Sequence, residues 1–467
     1  MYTKDVIEGI VDKQREYFKS GETLDVNFRI RMLKRLKAML LENEELIEDA
    51  MAKDLGRAKA EAYFCDIGSV VMEINETIRG LKRWARPETH FSGFACFPGL
   101  FTKVYKMPYG VSLIISPFNF PFMLSLGVLT ASIAGGNTAV IKASSKSAES
   151  TRVLKEIIAK TYEDSYITVI DGGHDVADMC LEARFDKIFY TGSPKVAKHV
   201  MELAAKNLTP VALELGGETG NWAIVREDAD IKDAARKIAF FKILNSGQIC
   251  ININQVAVEE GVADAFVEEL KKAIFSFMGE KQLENAAYPK LISKAAYEKC
   301  KNEAIEYKDR IVYGGNGDEA TDKFETTIIY PIGIDEPIVQ HELFCPLLPI
   351  VVYKRSEVDN LLSTIADREH GLALYLFTKN KSWAKRVMST QQYGGGCVNE
   401  VCVHIMAKGV PFGGTGHSGM GSYHGRYGFE EFTHRSSVLY GNTHFNLSLR
   451  EHPYTEGKLK ILRLFEK

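Results

Sequence analysis

The stretch YGVSLIISPFNFPFMLSLGVLTASIAGGNTAVIKAS, residues 109–144, carries the reading of the fold. A short apolar run stops at Pro117. A segment of small and apolar residues follows and closes on Gly135 and Gly136. A second apolar run then ends at Lys142. Short apolar runs bounded by turn residues read as strands buried on both faces, and the longer segment between them reads as a buried helix. From Met107 to Ile141 there is no charged residue, which is long enough to raise a membrane span. Pro108, Pro117, Pro121, Asn119 and Asn137 argue against it, because a lipid-exposed span must satisfy such sites internally. The expectation is strand, turn, helix and strand, with no membrane span.

The same rhythm continues downstream. STRVLKEIIAKTY reads as an amphipathic helix, SYITVIDG as a strand, HDVADMCLEA as a helix, FDKIFYTGS as a strand and PKVAKHVMELAAK as a helix. This alternation predicts a parallel sheet covered on both faces, with cofactors bound at the strand ends. A second alternating block begins near Thr209. It holds TPVALELGG, NWAIV, a helix around Ile231 to Leu244, the strand ININQVAVEE and a helix from Val262 to Phe277. TTIIYP, LLPIVVY and LALYLFT read as later strands of a second α/β domain, from about residue 215 to 400. Upstream, Ile30, Leu33, Leu36, Leu40, Ile47 and Met51 recur at helical spacing, and residues 60 to 84 continue as a second long helix. Arg86 to Leu100 is a connector broken by Pro, Gly and Ser. The glycine-rich run from Gly394 to Gly428 reads as a folded-back functional loop, and Glu451 to Lys467 as a short amphipathic stretch.

A chain of 467 residues suggests two or three domains. With 58 Lys and Arg against 61 Asp and Glu, no general attraction to nucleic acid is expected. Eight dispersed cysteines without a close CxxC pair fit neither a disulfide framework nor a zinc site, and point to a reducing, cytoplasmic setting. The N-terminal MYTKDVIEGIVDKQREYF reads as a charged helix and not as an export segment.

Several residues are candidates for chemistry, each with a plainer alternative. Cys250, in NSGQICI at 245–251, follows the permissive Gly247. It is either a reactive thiol or a core filler. Glu214 ends an apolar strand before Gly216 and Gly217; it is a buried base or a carboxylate satisfied by loop amides. Asn119, between Pro117 and Pro121, is an oxyanion donor or a turn residue. Lys142, followed by Ser144 and Ser145, could hold ribose or phosphate oxygens, or simply leave the strand for solvent. Gly192 and Ser193 open a helix whose free N–H groups could meet a pyrophosphate, or Ser193 only caps it. Glu342 and Phe344 could hold a cofactor edge or form an ordinary turn. His417 and His424 lie among glycines with no histidine–acid ligand set, so no metal is expected there.

In order, SPFNFPF, VIKAS, FYTGS, LELGG, NSGQIC, HELFCPLLP, LALYLFT, GGGCVNEV and PFGGTGHSGMG resemble the NAD(P)-dependent aldehyde dehydrogenase family over nearly the whole chain. The likeness is to the short class that includes fatty, aromatic and coniferyl aldehyde dehydrogenases. It implies a Rossmann-type cofactor domain over residues 1–214, with the connector near 86–106. It further implies an α/β catalytic thiol domain over 215–400, and an active-site loop and oligomerisation segment over 401–467. Cys250 is then the nucleophile, Glu214 the general base, and Asn119 with the Cys250 N–H the oxyanion site. Lys142 and Glu342 hold the riboses, Ser193 and Gly192 lie near the pyrophosphate, and Phe344 lies near the cofactor. The implied reaction oxidises a small-molecule aliphatic or aromatic aldehyde to its acid through a cysteine thioester, in a homodimer. Coenzyme A in place of water, or a non-catalytic cofactor-binding role, are the alternatives. Three departures stand out. Glu218 replaces a usual lysine and Cys345 a usual glycine, where a side chain could crowd the site. Ser145 stands where an acid is common, so a 2′-phosphate would be tolerated and dual use of NADP or NAD is expected.

Overall fold

The computed structural model describes residues 2–93, 96, 99–444 and 447–465. Residues 94, 95, 97 and 98 of the expected connector, and 466 and 467 of the terminal amphipathic stretch, lie outside the described residues.

The apolar runs become strands because nothing in them can face water. Val111–Ile115 and Thr138–Lys142 pair in parallel, and the helix Met123–Gly135 between them is buried along almost its full length. Gly136, at φ +91, ends that helix in the left-handed conformation that glycine reaches most easily. The first sheet has six strands in the order Gly419–Met420, Val211–Leu215, Lys187–Gly192, Val111–Ile115, Thr138–Lys142 and Ile167–Ile170. Five are parallel, and Gly419–Met420 pairs antiparallel at the edge. Chain order reverses between Val111–Ile115 and Lys187–Gly192. Such a switch point opens a crevice beyond the strands' carboxyl ends.

The second sheet has seven strands, in the order Ile311–Tyr313, Thr327–Ile332, Leu347–Tyr353, Ile253–Glu259, Asn221–Val225, Ala373–Phe377 and Gly395–Val398. All but Ile311–Tyr313 run parallel. A third, antiparallel sheet joins Glu88–Phe91, Phe101–Pro108 and Thr433–Leu439 into an arm that exposes Phe91, Phe101 and Leu439.

Four local readings change. Val211–Leu215, grouped by alternation with the second block, pairs with Lys187–Gly192 in the first sheet. The expected long helix over 60–84 is broken: Lys59–Ala62 and Gly68–Trp84 flank a π turn at Tyr63–Ile67. That wide turn buries Cys65, Asp66 and Ile67 while Phe64 stays half exposed. The helical run over 28–55 divides at Asn43 into Val26–Glu42 and Glu44–Leu55. The connector and the region after Phe429 contain strands, which pair only with distant partners and so carry little local signal.

Candidate active site

The carboxyl ends of the first sheet gather polar residues around the switch point. Lys142 ends its strand almost wholly buried, and its Nζ donates to the Ala143 and Gly172 carbonyls, both at 2.8 Å. Burial lowers its pKa, so the ammonium favours any further acceptor. Ser193 caps the helix Pro194–Ala205, accepting from Val196 N–H at 3.5 Å. A Cβ at Gly192 would lie 2.2 Å from the Tyr190 hydroxyl, so a side chain there would have to displace that ring. Beside it, the buried Thr191 Oγ1 has no hydrogen-bond partner. A helix N-terminus, a buried cation and an unmatched hydroxyl at one crevice fit the oxygens of a dinucleotide.

Ser145 is exposed at this edge. Lys146 follows it, with Nζ 5.4 Å from the Phe118 ring centroid. The Phe118 ring meets Phe344 edge-on, at 6.0 Å and 77°. Phe344 is held at φ +53, an uncommon conformation for a side chain of this size. Glu342 N–H donates to the Glu218 carbonyl at 2.9 Å, tying this loop to the one after Glu214. A Cβ at Gly216 would stand 2.2 Å from Glu342 Oε1, so the carboxylate reaches over that backbone. Burial raises Glu342 to about 7, against the opposing pull of Lys299 and Lys242.

Cys250 is partly buried in the segment between the helix Ile231–Ile243 and the strand Ile253–Glu259. Asn245, Ser246 and Gly247 all have positive φ, +51, +50 and +74, which bends the chain sharply before the thiol. Gly247 packs on the Cys345 carbonyl, where a Cβ would come to 2.3 Å. Asn221 Nδ2 donates to the carbonyls of Cys250 and Asn252, both at 2.8 Å, and its Oδ1 accepts from Ala373 N–H at 2.7 Å. Burial, then the charges of Glu342 and Glu214, push the Cys250 thiol up to about 12. It lines an apolar pocket with Phe64, Phe120, Met123, Phe241 and Ile251.

Asn119 is buried, and its Nδ2 donates to the Gln248 carbonyl at 3.0 Å. Its own carbonyl accepts from Arg57 Nη2 and from Asn245 Nδ2. Arg57 is in turn paired with Asp66 at 2.6 Å, both side chains fully buried, while Asp66 accepts from Phe122 and Met123 N–H at 2.9 Å. Sequence reasoning missed this support. Arg57 and Asp66 resemble surface charges in the linear chain; an acid inside an otherwise helical apolar pattern was the available signal.

Glu214 is buried, and its Oε2 has no hydrogen-bond partner. Burial, and secondarily Glu431, raise its pKa well above the ordinary carboxylate value. The glycine-rich run folds against it: Gly419 pairs with Glu214 in the sheet, and a Cβ at Gly413 would lie 3.2 Å from Glu214 Oε1.

The departures resolve in space. The Cys345 side chain is buried in the second core with Cys300 and so does not crowd the thiol pocket. Glu218 turns outward to Lys198 at 3.6 Å. One expectation is corrected: His417 does have acidic company. Its Nδ1 contacts Glu369, and with Glu218 the three offer ligand atoms within 4.8 Å of one another. These residues come from three separated loops, so linear spacing could not reveal the grouping. No helix among the described residues is long and apolar enough to cross a membrane.

A nucleotide-type crevice on one parallel sheet, opposite a strained loop carrying a thiol, defines an α/β enzyme with a Rossmann-type cofactor domain and a second α/β catalytic domain. Residues 1–438 match the aldehyde dehydrogenase family, and the chain belongs to it, as an enzyme of NAD(P)-dependent aldehyde oxidation. It is 36% identical to 4,4'-diaponeurosporen-aldehyde dehydrogenase of Staphylococcus aureus, over 99% of this chain and 100% of that one. It is 34% identical to the dimeric NADP-preferring aldehyde dehydrogenase of Rattus norvegicus, over 93% and 94%. The solved substrate-bound Staphylococcus aureus AldH superposes with a TM-score of 0.95 at 35% identity, covering 100% of both chains.

Proposed function

We propose that the protein oxidises an apolar aldehyde to the carboxylic acid through a thioester on Cys250. The observation that carries this is a partly buried thiol lining an apolar pocket, with the Asn119 amide anchored on the Gln248 carbonyl two residues before it and the Glu214 carboxyl, whose Oε2 has no partner, near enough to act on the thiol's charge. Cys250 loses its thiol proton to solvent as its sulfur adds to the aldehyde carbon, while Asn119 Nδ2 and the Cys250 N–H hold the oxygen that gains charge. Lys142, Ser193, Gly192, Glu342 and Phe344 would hold the dinucleotide, with Ser145 at its exposed edge; when bound, it supplies the hydride acceptor. Glu214 takes a proton from water, the water oxygen adds to the thioester, and the Cys250–acyl bond breaks to release the acid. A base is needed for water more than for coenzyme A, so the buried Glu214 favours hydrolysis over acyl transfer.

Dual use of NADP and NAD is supported by the exposed Ser145 and neighbouring Lys146, which place no acid where a 2′-phosphate would lie. The NADP preference named for the rat relative agrees. The apolar pocket and the aldehyde named for the Staphylococcus relative favour an aliphatic or aromatic substrate. A homodimer through the exposed antiparallel arm is consistent with the dimeric relative.

The test supplies hexanal or benzaldehyde with NAD and NADP separately, without coenzyme A, to the wild type and C250A. Reduced nicotinamide and carboxylate should form together and vanish in C250A. Turnover that survives in C250A, or that requires coenzyme A, rejects the proposal.

A further inference from the structure

Three loops from separate parts of the chain meet outside the strand that carries Glu214. Glu218 follows that strand, Val211–Leu215, in the first sheet. Glu369 precedes the strand Ala373–Phe377 of the second sheet. His417 sits in the glycine-rich return, just ahead of the edge strand Gly419–Met420. One ligand atom from each residue lies within 4.8 Å of the other two. Two are carboxylate oxygens and one is an imidazole nitrogen. Within the set, His417 Nδ1 contacts a Glu369 carboxylate oxygen.

The backbones hold the three loops together, so the side chains do not have to assemble the cluster by themselves. Thr219 Oγ1 donates to the Glu369 carbonyl at 3.3 Å, and Glu342 N–H donates to the Glu218 carbonyl at 2.9 Å. Ser418 Oγ accepts from Thr415 N–H and donates to the Thr415 carbonyl, both at 2.9 Å, which fixes the turn that carries His417. Two carboxylates are thereby kept close together, and positive charge is needed to offset their repulsion. Lys198 lies 3.6 Å from Glu218, beyond hydrogen-bond distance. The side chains of Glu218, Glu369 and His417 are 45%, 38% and 36% exposed, so an ion reaches them from solvent without opening the fold.

The imidazole distinguishes this cluster from a patch of surface acids. One nitrogen and two oxygen donors suit zinc, cobalt or manganese better than calcium or magnesium, which favour shells of oxygen alone. We infer that Glu218, Glu369 and His417 form a binding site for a first-row divalent cation of the zinc type, separate from the cofactor and thiol residues. Three protein ligands leave the remaining position to water. Glu218 lies four residues past Glu214, and Gly419, two residues past His417, pairs with Glu214 in the sheet. The cation therefore joins both backbones that flank the proposed base to the loop that enters Ala373–Phe377. Binding only to the folded chain, it stabilises that chain by mass action.

The test titrates the full chain, freed of metal by a chelator that is then removed, with Zn²⁺ by calorimetry and with Co²⁺ by visible spectroscopy. The wild type should take up one Zn²⁺ at this site, and its thermal midpoint should rise with Zn²⁺. H417A and E369Q change partly exposed positions, so neither removes a core side chain. Each should weaken the binding by about tenfold or more and abolish the thermal shift, with circular dichroism as in the wild type. K198Q keeps all three ligands and removes a competing charge, so it should bind Zn²⁺ more tightly. Bound Co²⁺ should show d–d absorption without a sulfur-to-metal charge-transfer band, because no cysteine takes part. A wild type that binds no Zn²⁺ overturns the site and leaves His417 as an ion-pair partner of Glu369. Binding that survives in H417A and E369Q, or a sulfur-to-cobalt band, places the metal elsewhere, such as on Cys250, and also overturns it. None of these readouts needs aldehyde turnover, so failure of the proposed oxidation and failure of the metal site are seen separately.

Discussion

Asn119 donates from Nδ2 to the carbonyl of Gln248 at 3.0 Å, fixing its amide two residues before Cys250 in the chain. The bond joins the cofactor-side loop to the thiol loop. With Asn245 Nδ2 and Arg57 donating to the Asn119 carbonyl, the bond orients the amide proposed as the oxyanion donor before substrate arrives. N119A should slow the acylation burst about 10²- to 10³-fold. The dissociation constant for NADP should stay within about twofold, measured by fluorescence titration beside stopped-flow bursts.

Arg57 and Asp66 support that amide from behind. Both charges are fully buried, so removing one strands the other in a dry interior. D66L should cost about 3–5 kcal/mol of stability, and R57M a similar amount. The double change R57M/D66L should cost less than the sum of the two, because no orphan charge remains. Thermal and denaturant unfolding of all four proteins completes the cycle. Equal additivity would mean that the pair does not act as a unit.

Glu342 titrates near neutrality because burial raises it to about 7. The folded chain holds this proton more tightly than the unfolded chain does. Its contribution to stability is therefore present at low pH and is lost as pH rises from the ordinary glutamate value through about 7. The proposed ribose contact runs the other way, because the ionised carboxylate is the stronger acceptor for hydroxyls. KM for NADP should fall as pH rises from 6 to 8 (test values, about one unit either side of the midpoint), and E342Q should flatten that dependence. A profile unchanged in E342Q would exclude the carboxylate from the cofactor site.

The Cys250 thiol is neutral at rest, raised to about 12 by burial first and by the Glu342 and Glu214 charges next. Removing a negative neighbour favours the thiolate. At pH 8, E342Q should therefore be alkylated by iodoacetamide several-fold faster than the wild type, read by mass spectrometry at Cys250. Slower alkylation would reverse the sign of the electrostatic argument.

Glu214 must lose its proton to act as a base, yet burial holds that proton above the usual carboxylate range. Deacylation should accelerate as pH rises. E214Q should keep a burst of reduced nicotinamide while its steady rate falls about 10²- to 10⁴-fold. Loss of burst and steady rate together would place Glu214 in acylation instead.

Much of the fold was legible along the chain. VSLII, TAVIK and KIFYTG are short and apolar, alternate with helical segments, and become parallel strands as that pattern predicts. The ordered motifs marked the family for the same reason: their residues lie within a few positions of one another. The candidate site was legible as a set of residue types at strand ends and in loops, but not as a geometry.

What the sequence determined by itself was the period of each element and the identity of the polar residues that interrupt it. Tertiary structure alone decided which sheet takes Val211–Leu215, which way Cys345 and Glu218 turn, and that His417 meets Glu369. It also decided that Arg57 and Asp66 are buried beneath Asn119. Period follows from local backbone geometry, which a short segment carries within itself. Burial, strand pairing and charge environment depend on residues up to hundreds of positions away, and they exist only once those residues are in contact.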